Sequence, residues 1–314
     1  MPLILDLEIA EALAAAAAAG ELPVTPRGDA LALRDVTNAT LAYIDGLEPD
    51  SPDVLFEDHQ IPMADGSTVL GRWYTKAGST PGSAVVYLHG GGMVCGSVQL
   101  YDRLVAKYVQ ETGVPFLSVD YRIAPEFPGT TLADDSYSAL VWFIERAEQF
   151  GVDRARVAIM GDSGGGGVAA GVAIAARDAG TALAKQILIY PMLDDRNLNP
   201  DVEIAPFASW TYDNNYTGWN ALLGDNVGGK EVSPLAAPAR LVDYSGLAPA
   251  FIDVGELDIF RDENVVYALN LARAGVSCEL YVRPGCLHAF DRLAPQARVS
   301  AASWADRFRA ISTL

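Results

Sequence analysis

The feature that most restricts the fold is a series of short, almost wholly apolar runs at 84–88, 114–119, 157–160, 187–190 and 250–254. None shows the apolar–polar alternation of a strand with one wet face. Runs of this length and uniformity belong in a sheet covered on both sides. Between them lie helix-forming stretches near 101–112, 130–149, 164–179, 262–274 and 297–313. Strand and helix in alternation give a mostly parallel sheet with right-handed crossovers. Two earlier strands, 54–56 and 69–74, are separated by the turn Ala64-Asp65-Gly66-Ser67. A last run, 278–282, alternates more and is expected near an edge. The expected class is α/β, with an eight-stranded, mostly parallel sheet flanked by helices.

Two regions depart from that rhythm. Residues 3–50 read as helical with breaks: Ala12 to Ala19 stops at Gly20, and a second helix is expected over 31–44, before Gly46. The stretch after the 187–190 strand holds Phe207, Trp210, Tyr212, Tyr216 and Trp219 and reads as an insertion. The expected division is an N-terminal cap segment at 1–50, a catalytic core at 51–194 and 229–314, and a cap insertion at 195–228. Such a cap would cover the carboxyl ends of the strands, where open α/β sheets bind ligands. Met93, Phe207, Trp210 and Tyr216 are candidate pocket walls. The alternative is that these aromatic residues hold the cap to the core and that Met93 packs under its loop.

The net charge of −18 makes nucleic acid and anionic membranes poor partners and mildly favours neutral or cationic substrates over polyanions. The N-terminal residues Met1 to Glu8 carry acids where an export signal carries Lys or Arg, and they read as an amphipathic helix. Three cysteines, Cys95, Cys278 and Cys286, show no metal-ligand spacing and cannot all pair internally. A reduced, cytoplasmic setting is expected; a homodimer is left open.

Three motifs carry chemistry. Gly161-Asp162-Ser163-Gly164-Gly165 fits G-x-S-x-G, follows the 157–160 strand and opens a Gly/Ala-rich helix, the setting of a nucleophile elbow. The helix N-terminus aims amides where negative charge would develop. A phosphate loop is the other reading of Gly164 to Gly167, but the Lys it needs does not follow. His89-Gly90-Gly91-Gly92 comes directly after the 84–88 strand. Amides without side chains in the way suit an oxyanion hole, and Gly91, Gly92 and Gly164 are its expected donors. His89 is expected to brace this loop, with Met93 and Cys95 packed beneath it.

Of the three histidines, His59 reads as surface structure on an early strand. His288 lies in the loop after the last strand, making it the expected base. Asp258 is the expected acid, preferred over Glu256, Asp262 and Asp253, with Asp262 and Glu263 read as helix N-terminal acids. The set implies acyl transfer on a small-molecule ester, with no cofactor and no metal.

These motifs, with Asp120-Tyr121-Arg122-Ile123-Ala124-Pro125-Glu126 and Asp258-Ile259-Phe260-Arg261-Asp262-Glu263, make the chain resemble the hormone-sensitive-lipase-like carboxylesterases (bacterial family IV) of the α/β-hydrolase fold. The likeness runs from near residue 55 to the C-terminus. It implies a cofactor-free hydrolase of short- to medium-chain acyl esters with a small helical cap. It also implies supporting roles for Glu126 and Asp134, beside His89, Gly90 and Asp162. Two departures stand out. Gly164 replaces the usual Ala and is expected to loosen the elbow; Ile259 replaces a frequent Pro. Rival activities on this scaffold are lactone or amide hydrolysis and dehydration, or ligand reception without catalysis, which the presence of His288 disfavours.

Overall fold

The computed structural model describes residues 3–20 and 23–314; Met1 and Pro2 of the N-terminal reading lie outside the described residues. Asp6 caps α1 (Leu7–Ala19), accepting the N–H groups of Glu8 and Ile9 at 2.9 and 3.2 Å, and Asp29 caps α2 (Ala30–Leu47) through Ala32. The α2 helix runs one turn beyond the expected 31–44, through Gly46. Its last turn is sustained from outside: the Asp45 carboxylate accepts the N–H groups of Arg103 and Leu104.

Next come β1 (Val54–Pro62) and β2 (Thr68–Lys76), a hairpin turning at Gly66 (φ +85°). Then follow β3 (Ala84–Leu88), α3 (Asp102–Thr112), β4 (Phe116–Val119), α4 (Thr131–Glu145), β5 (Val157–Asp162) and α5 (Ser163–Asp178). After β6 (Lys185–Ile189) and α6 (Tyr212–Leu223) the chain forms β7 (Ala250–Gly255), α7 (Arg261–Arg273), β8 (Cys278–Arg283), α8 (Phe290–Leu293) and α9 (Arg298–Ser312).

The eight strands make one sheet in the order β1-β2-β4-β3-β5-β6-β7-β8, antiparallel at β1/β2 and β2/β4 and parallel elsewhere. Neighbouring residues serve opposite cores: Val86, Leu88 and Ile159 pack on one side, and Val85, Tyr87 and Ala158 on the other. Both faces are therefore dry, which is why these strands read as unbroken apolar runs. The alternating β8 lies at an edge, as expected.

The strand order reverses at β3, whose parallel neighbours are β4 on one side and β5 on the other. Loops leaving such a switch point diverge and open a crevice. The glycine loop leaves β3 there, Ser163 leaves β5, and the loops carrying Asp258 and His288 leave β7 and β8. Above this end, α6 packs on α2, joined by the Gly28 N–H to Thr217 (2.9 Å) and the Arg27–Asp213 ion pair (2.7 Å). Among the described residues, no helix is long and apolar enough to cross a membrane.

Candidate active site

Ser163 joins β5 to α5 with φ at +54°, a conformation costly for a residue with a Cβ. The surroundings hold it there. Its carbonyl accepts the Met192 N–H at 2.9 Å, and the preceding Asp162 accepts the hydroxyls of Tyr87 (2.5 Å) and Tyr101 (3.3 Å). Burial raises the Asp162 pKa, while the Tyr87 hydroxyl and nearby Arg292 pull it down.

The Ser163 hydroxyl lies 2.9 Å from His288 Nε2, and His288 Nδ1 lies 2.7 Å from Asp258 Oδ2. An ionised carboxylate only accepts, so Nδ1 carries the proton and Nε2 is free to accept from the serine. Asp258 is fully buried, and its second oxygen accepts the Phe260 N–H at 2.9 Å. Tyr190 and Phe260 meet the imidazole in T-shaped contacts, at 4.7 and 5.1 Å between centroids.

The rival acids are engaged elsewhere. Glu256 accepts the Gly285 N–H (2.9 Å) and steadies the histidine loop, Asp262 pairs with Arg261 at the start of α7, and Asp253 is held by Arg283 and Arg307. Glu263, read from sequence as a helix N-terminal acid, also has an interior role. It is buried and accepts the N–H groups of Leu193 (2.6 Å) and Asp194 (3.2 Å), fastening the loop after β6 to α7. Burial pushes its pKa well up.

In the glycine loop, Gly91 and Gly92 have φ of +120° and +57°, and among the described residues their N–H groups find no acceptor. The loop presses on the residue after the serine. A Cβ added at Gly164 would stand 2.7 Å from the Met93 nitrogen and 2.8 Å from that of Gly92. This corrects the expectation that Gly164 loosens the elbow: its missing methyl is what lets the glycine loop close onto Ser163. His89 is fully buried, stacks on Tyr121 at 4.5 Å and donates from Nδ1 to the Gly90 carbonyl at 2.9 Å. Burial lowers its pKa.

A family model described as the alpha/beta hydrolase fold matches residues 85–292, which take in the glycine loop, the elbow, the acid loop and the histidine. The chain belongs to the hormone-sensitive-lipase-like family of the α/β-hydrolase fold. It is similar to the ethyl acetate hydrolase of Pseudomonas putida, 35% identical over 257 residues and 78% of each chain. Carboxylesterase NlhH of Mycobacterium tuberculosis is 36% identical over 214 residues, 67% of each chain. Among solved structures, a bacterial heroin esterase superimposes with a TM-score of 0.89 at 34% identity, covering 98% of this chain and 97% of that one. The protein is a carboxylic ester hydrolase.

Other residues of the esterase singled out from sequence are placed as follows. Glu126 makes a two-pronged ion pair with Arg34 of α2 at 2.6 and 2.8 Å, joining the N-terminal helices to the loop after β4. Asp134 is exposed and its carboxylate accepts the Thr130 hydroxyl, whereas the adjacent Asp135 is buried and holds Arg122. Met93 and Cys95 are buried. Trp210 lies against Gly92. Phe207 packs with the cluster of Ile9, Leu257 and Phe290, and Tyr216 lies under the Arg27 guanidinium at 4.0 Å. His59 lies half-buried on the edge strand β1, its ring packed against Trp142 and Phe150. Burial pushes the thiols of Cys95 and Cys286 up to about 12, which leaves neither as a competing nucleophile.

Sequence reasoning missed Tyr190, Phe260 and Ser209. The Ser209 hydroxyl donates to the His288 carbonyl at 2.7 Å across 79 positions of chain. Only the aromatic density of the insertion hinted at a surface facing the site.

Proposed function

We propose that the esterase hydrolyses short- to medium-chain acyl esters through Ser163, His288 and Asp258 and an acyl-enzyme intermediate. The observation that carries this reading is the unbroken relay from Ser163 Oγ to His288 to Asp258, at 2.9 and 2.7 Å. His288 Nε2 takes the serine proton as Oγ attacks the ester carbonyl. The N–H groups of Gly91, Gly92 and Gly164 receive the oxyanion, already aimed by glycines at positive φ and a helix N-terminus. Asp258 holds the tautomer and stabilises the imidazolium without taking its proton. His288 then protonates the leaving alcohol. Water, deprotonated by the same imidazole, attacks the acyl-enzyme and frees the acid and Ser163.

The acyl-size limit rests on enclosure: Ser163 is only 7% exposed, and Trp210 lies on the glycine loop beside it. In this reading, residues 1–50 and 195–228 act as the cap over a core formed by the rest. The test is kcat/KM across p-nitrophenyl esters from acetate to palmitate, with Ser163→Ala alongside. Activity is expected to peak in the short and medium chains and to vanish in the variant. A palmitate optimum rejects the substrate class, and full activity in the variant rejects the mechanism.

A further inference from the structure

Gly218 lies near the middle of α6 (Tyr212–Leu223), outside the left-handed region where the backbone itself would call for glycine. A glycine in a helix interior weakens the helix relative to alanine, so its place here needs another reason. The reason is proximity. A Cβ added at Gly218 would stand 2.7 Å from the Gly92 carbonyl oxygen, closer than a methyl group and an oxygen approach. The bare backbone of α6 therefore rests on the peptide that joins Gly92 to Met93. The nitrogen of the same peptide meets Gly164, where a Cβ would stand 2.7 Å away. In a trans peptide the C=O and N–H point in opposite directions. Peptide 92–93 is thus gripped from two elements, by α5 at its nitrogen and by α6 at its oxygen. Trp210 covers Gly92 on the side where a Cβ would project.

The face that α6 turns to the loop is fixed by its own ties. Thr217 is buried, accepts the Gly28 N–H at 2.9 Å and donates to the Asp213 carbonyl at 2.7 Å. Trp219, on the other side of Gly218, is wholly buried. Asn215 donates to the Asn197 carbonyl at 2.6 Å, and the Leu222 carbonyl accepts the Gly129 N–H at 2.8 Å. A methyl group at position 218 would therefore be relieved by movement of the glycine loop.

We propose that Gly218 is a positioning residue for the oxyanion hole: its missing side chain lets α6 seat the Gly92 peptide so that the N–H groups of Gly91 and Gly92 point at the developing charge. This rests on the mechanism proposed above and adds to it a residue that acts only through the loop. Helix α6 thus bears on the rate of reaction, apart from the segment before it that carries Ser209 and Trp210.

The test adds one methyl group, Gly218→Ala, to the full-length enzyme and reads two inhibitors of similar shape. With 1,1,1-trifluoroheptan-2-one, Ser163 Oγ bonds to the carbonyl carbon, the carbonyl electron pair moves onto its oxygen, and the serine proton passes to His288. The adduct carries the oxyanion that the hole must hold, whereas heptan-2-one binds without that charge. In Gly218→Ala the Ki of the trifluoro ketone is expected to rise about tenfold, and kcat on p-nitrophenyl butyrate to fall by a similar factor. The Ki of heptan-2-one and KM should stay within about twofold, as for a loss felt only when the oxyanion forms. Titrating an aliquot of each preparation with diethyl p-nitrophenyl phosphate counts folded sites, so lost protein is not mistaken for lost rate. Thr217→Val loosens the same contact without adding bulk and decides the question if Gly218→Ala does not fold. There the trifluoro ketone should lose about threefold relative to heptan-2-one. A ratio of the two Ki values unchanged from wild type overturns the proposal, and so does a rise in both together. Ser163→Ala separates the two claims: activity surviving there defeats the triad reading, whereas a dead Ser163→Ala with an unchanged inhibitor ratio in Gly218→Ala defeats only the positioning role.

Discussion

Ser163, Asp258 and His288 stand on loops leaving β5, β7 and β8, whereas Ser209 and Trp210 come from the segment between β6 and α6 that passes above them. The lower region is fixed redundantly. Ser163 is held by its neighbours' main chain, Asp258 by the Phe260 N–H as well as by His288, and the histidine loop by Glu256. The upper region is tied to the sheet's loops by the Ser209–His288 hydrogen bond, the Trp210–Gly92 contact, the Asn197 amide on the Ile259 carbonyl, Phe207 against Leu257 and Phe290, and links through α2. Redundancy suits atoms that must keep their places within tenths of an ångström while charge develops. In the proposed mechanism the upper segment carries none of the reacting groups, so it is left to meet the rest of the substrate. Changes below should therefore act on kcat, and changes above on the choice of ester.

The largest effect should come from below. Asp258→Asn keeps the shape but replaces an acceptor-only carboxylate with an amide that can favour the wrong imidazole tautomer. Steady-state kinetics should show kcat lower by about 10⁴ with folding intact by circular dichroism. An effect on KM alone would break the contrast. A smaller effect is expected at Gly164→Ala. The added methyl would meet the Gly92 and Met93 nitrogens at 2.8 and 2.7 Å, so the glycine loop must withdraw. Losing part of one oxyanion contact should lower kcat about tenfold or more, with little change in KM; an unchanged kcat would mean the loop moves freely.

The smallest effect concerns a tie between α2 and the loop after β4. Arg34 holds the Glu126 pKa at about 2, below the ordinary 4.5. A lowered carboxylate pKa stabilises the fold above the unfolded value and loses that contribution as pH falls through the folded value. The Glu126 side chain is 47% exposed, so solvent screening limits the pair to about 0.2–1 kcal/mol. Glu126→Gln should lower Tm slightly at pH 7, and the difference should shrink below pH 4.5 and disappear near pH 2. A difference that grows on acidification would contradict the sign.

The same contrast governs what could be read from the sequence. The β3 run at 84–88 matches the observed strand residue for residue, and the structure brings Ser163, Asp258 and His288 into one relay. Both were legible because strand burial and the elbow write themselves into adjacent positions. The meaning of Gly164 was not, because it depends on how near Gly92 and Met93, in a loop far earlier in the chain, approach. The packing of His59 depends on Trp142 and Phe150, brought up by α4 and its following turn. The bond from Ser209 to His288 has no local signature at all. Contacts between distant segments with no periodic pattern are set by tertiary packing, which a single sequence does not display.

The most direct test of the central claim is covalent labelling with diethyl p-nitrophenyl phosphate, followed by peptide mass spectrometry and the yield of nitrophenol. One diethylphosphoryl group per chain is expected on Ser163, released nitrophenol should match it mole for mole, and His288→Ala should label far more slowly. A label on another residue, or equal labelling of Ser163→Ala, would contradict the account.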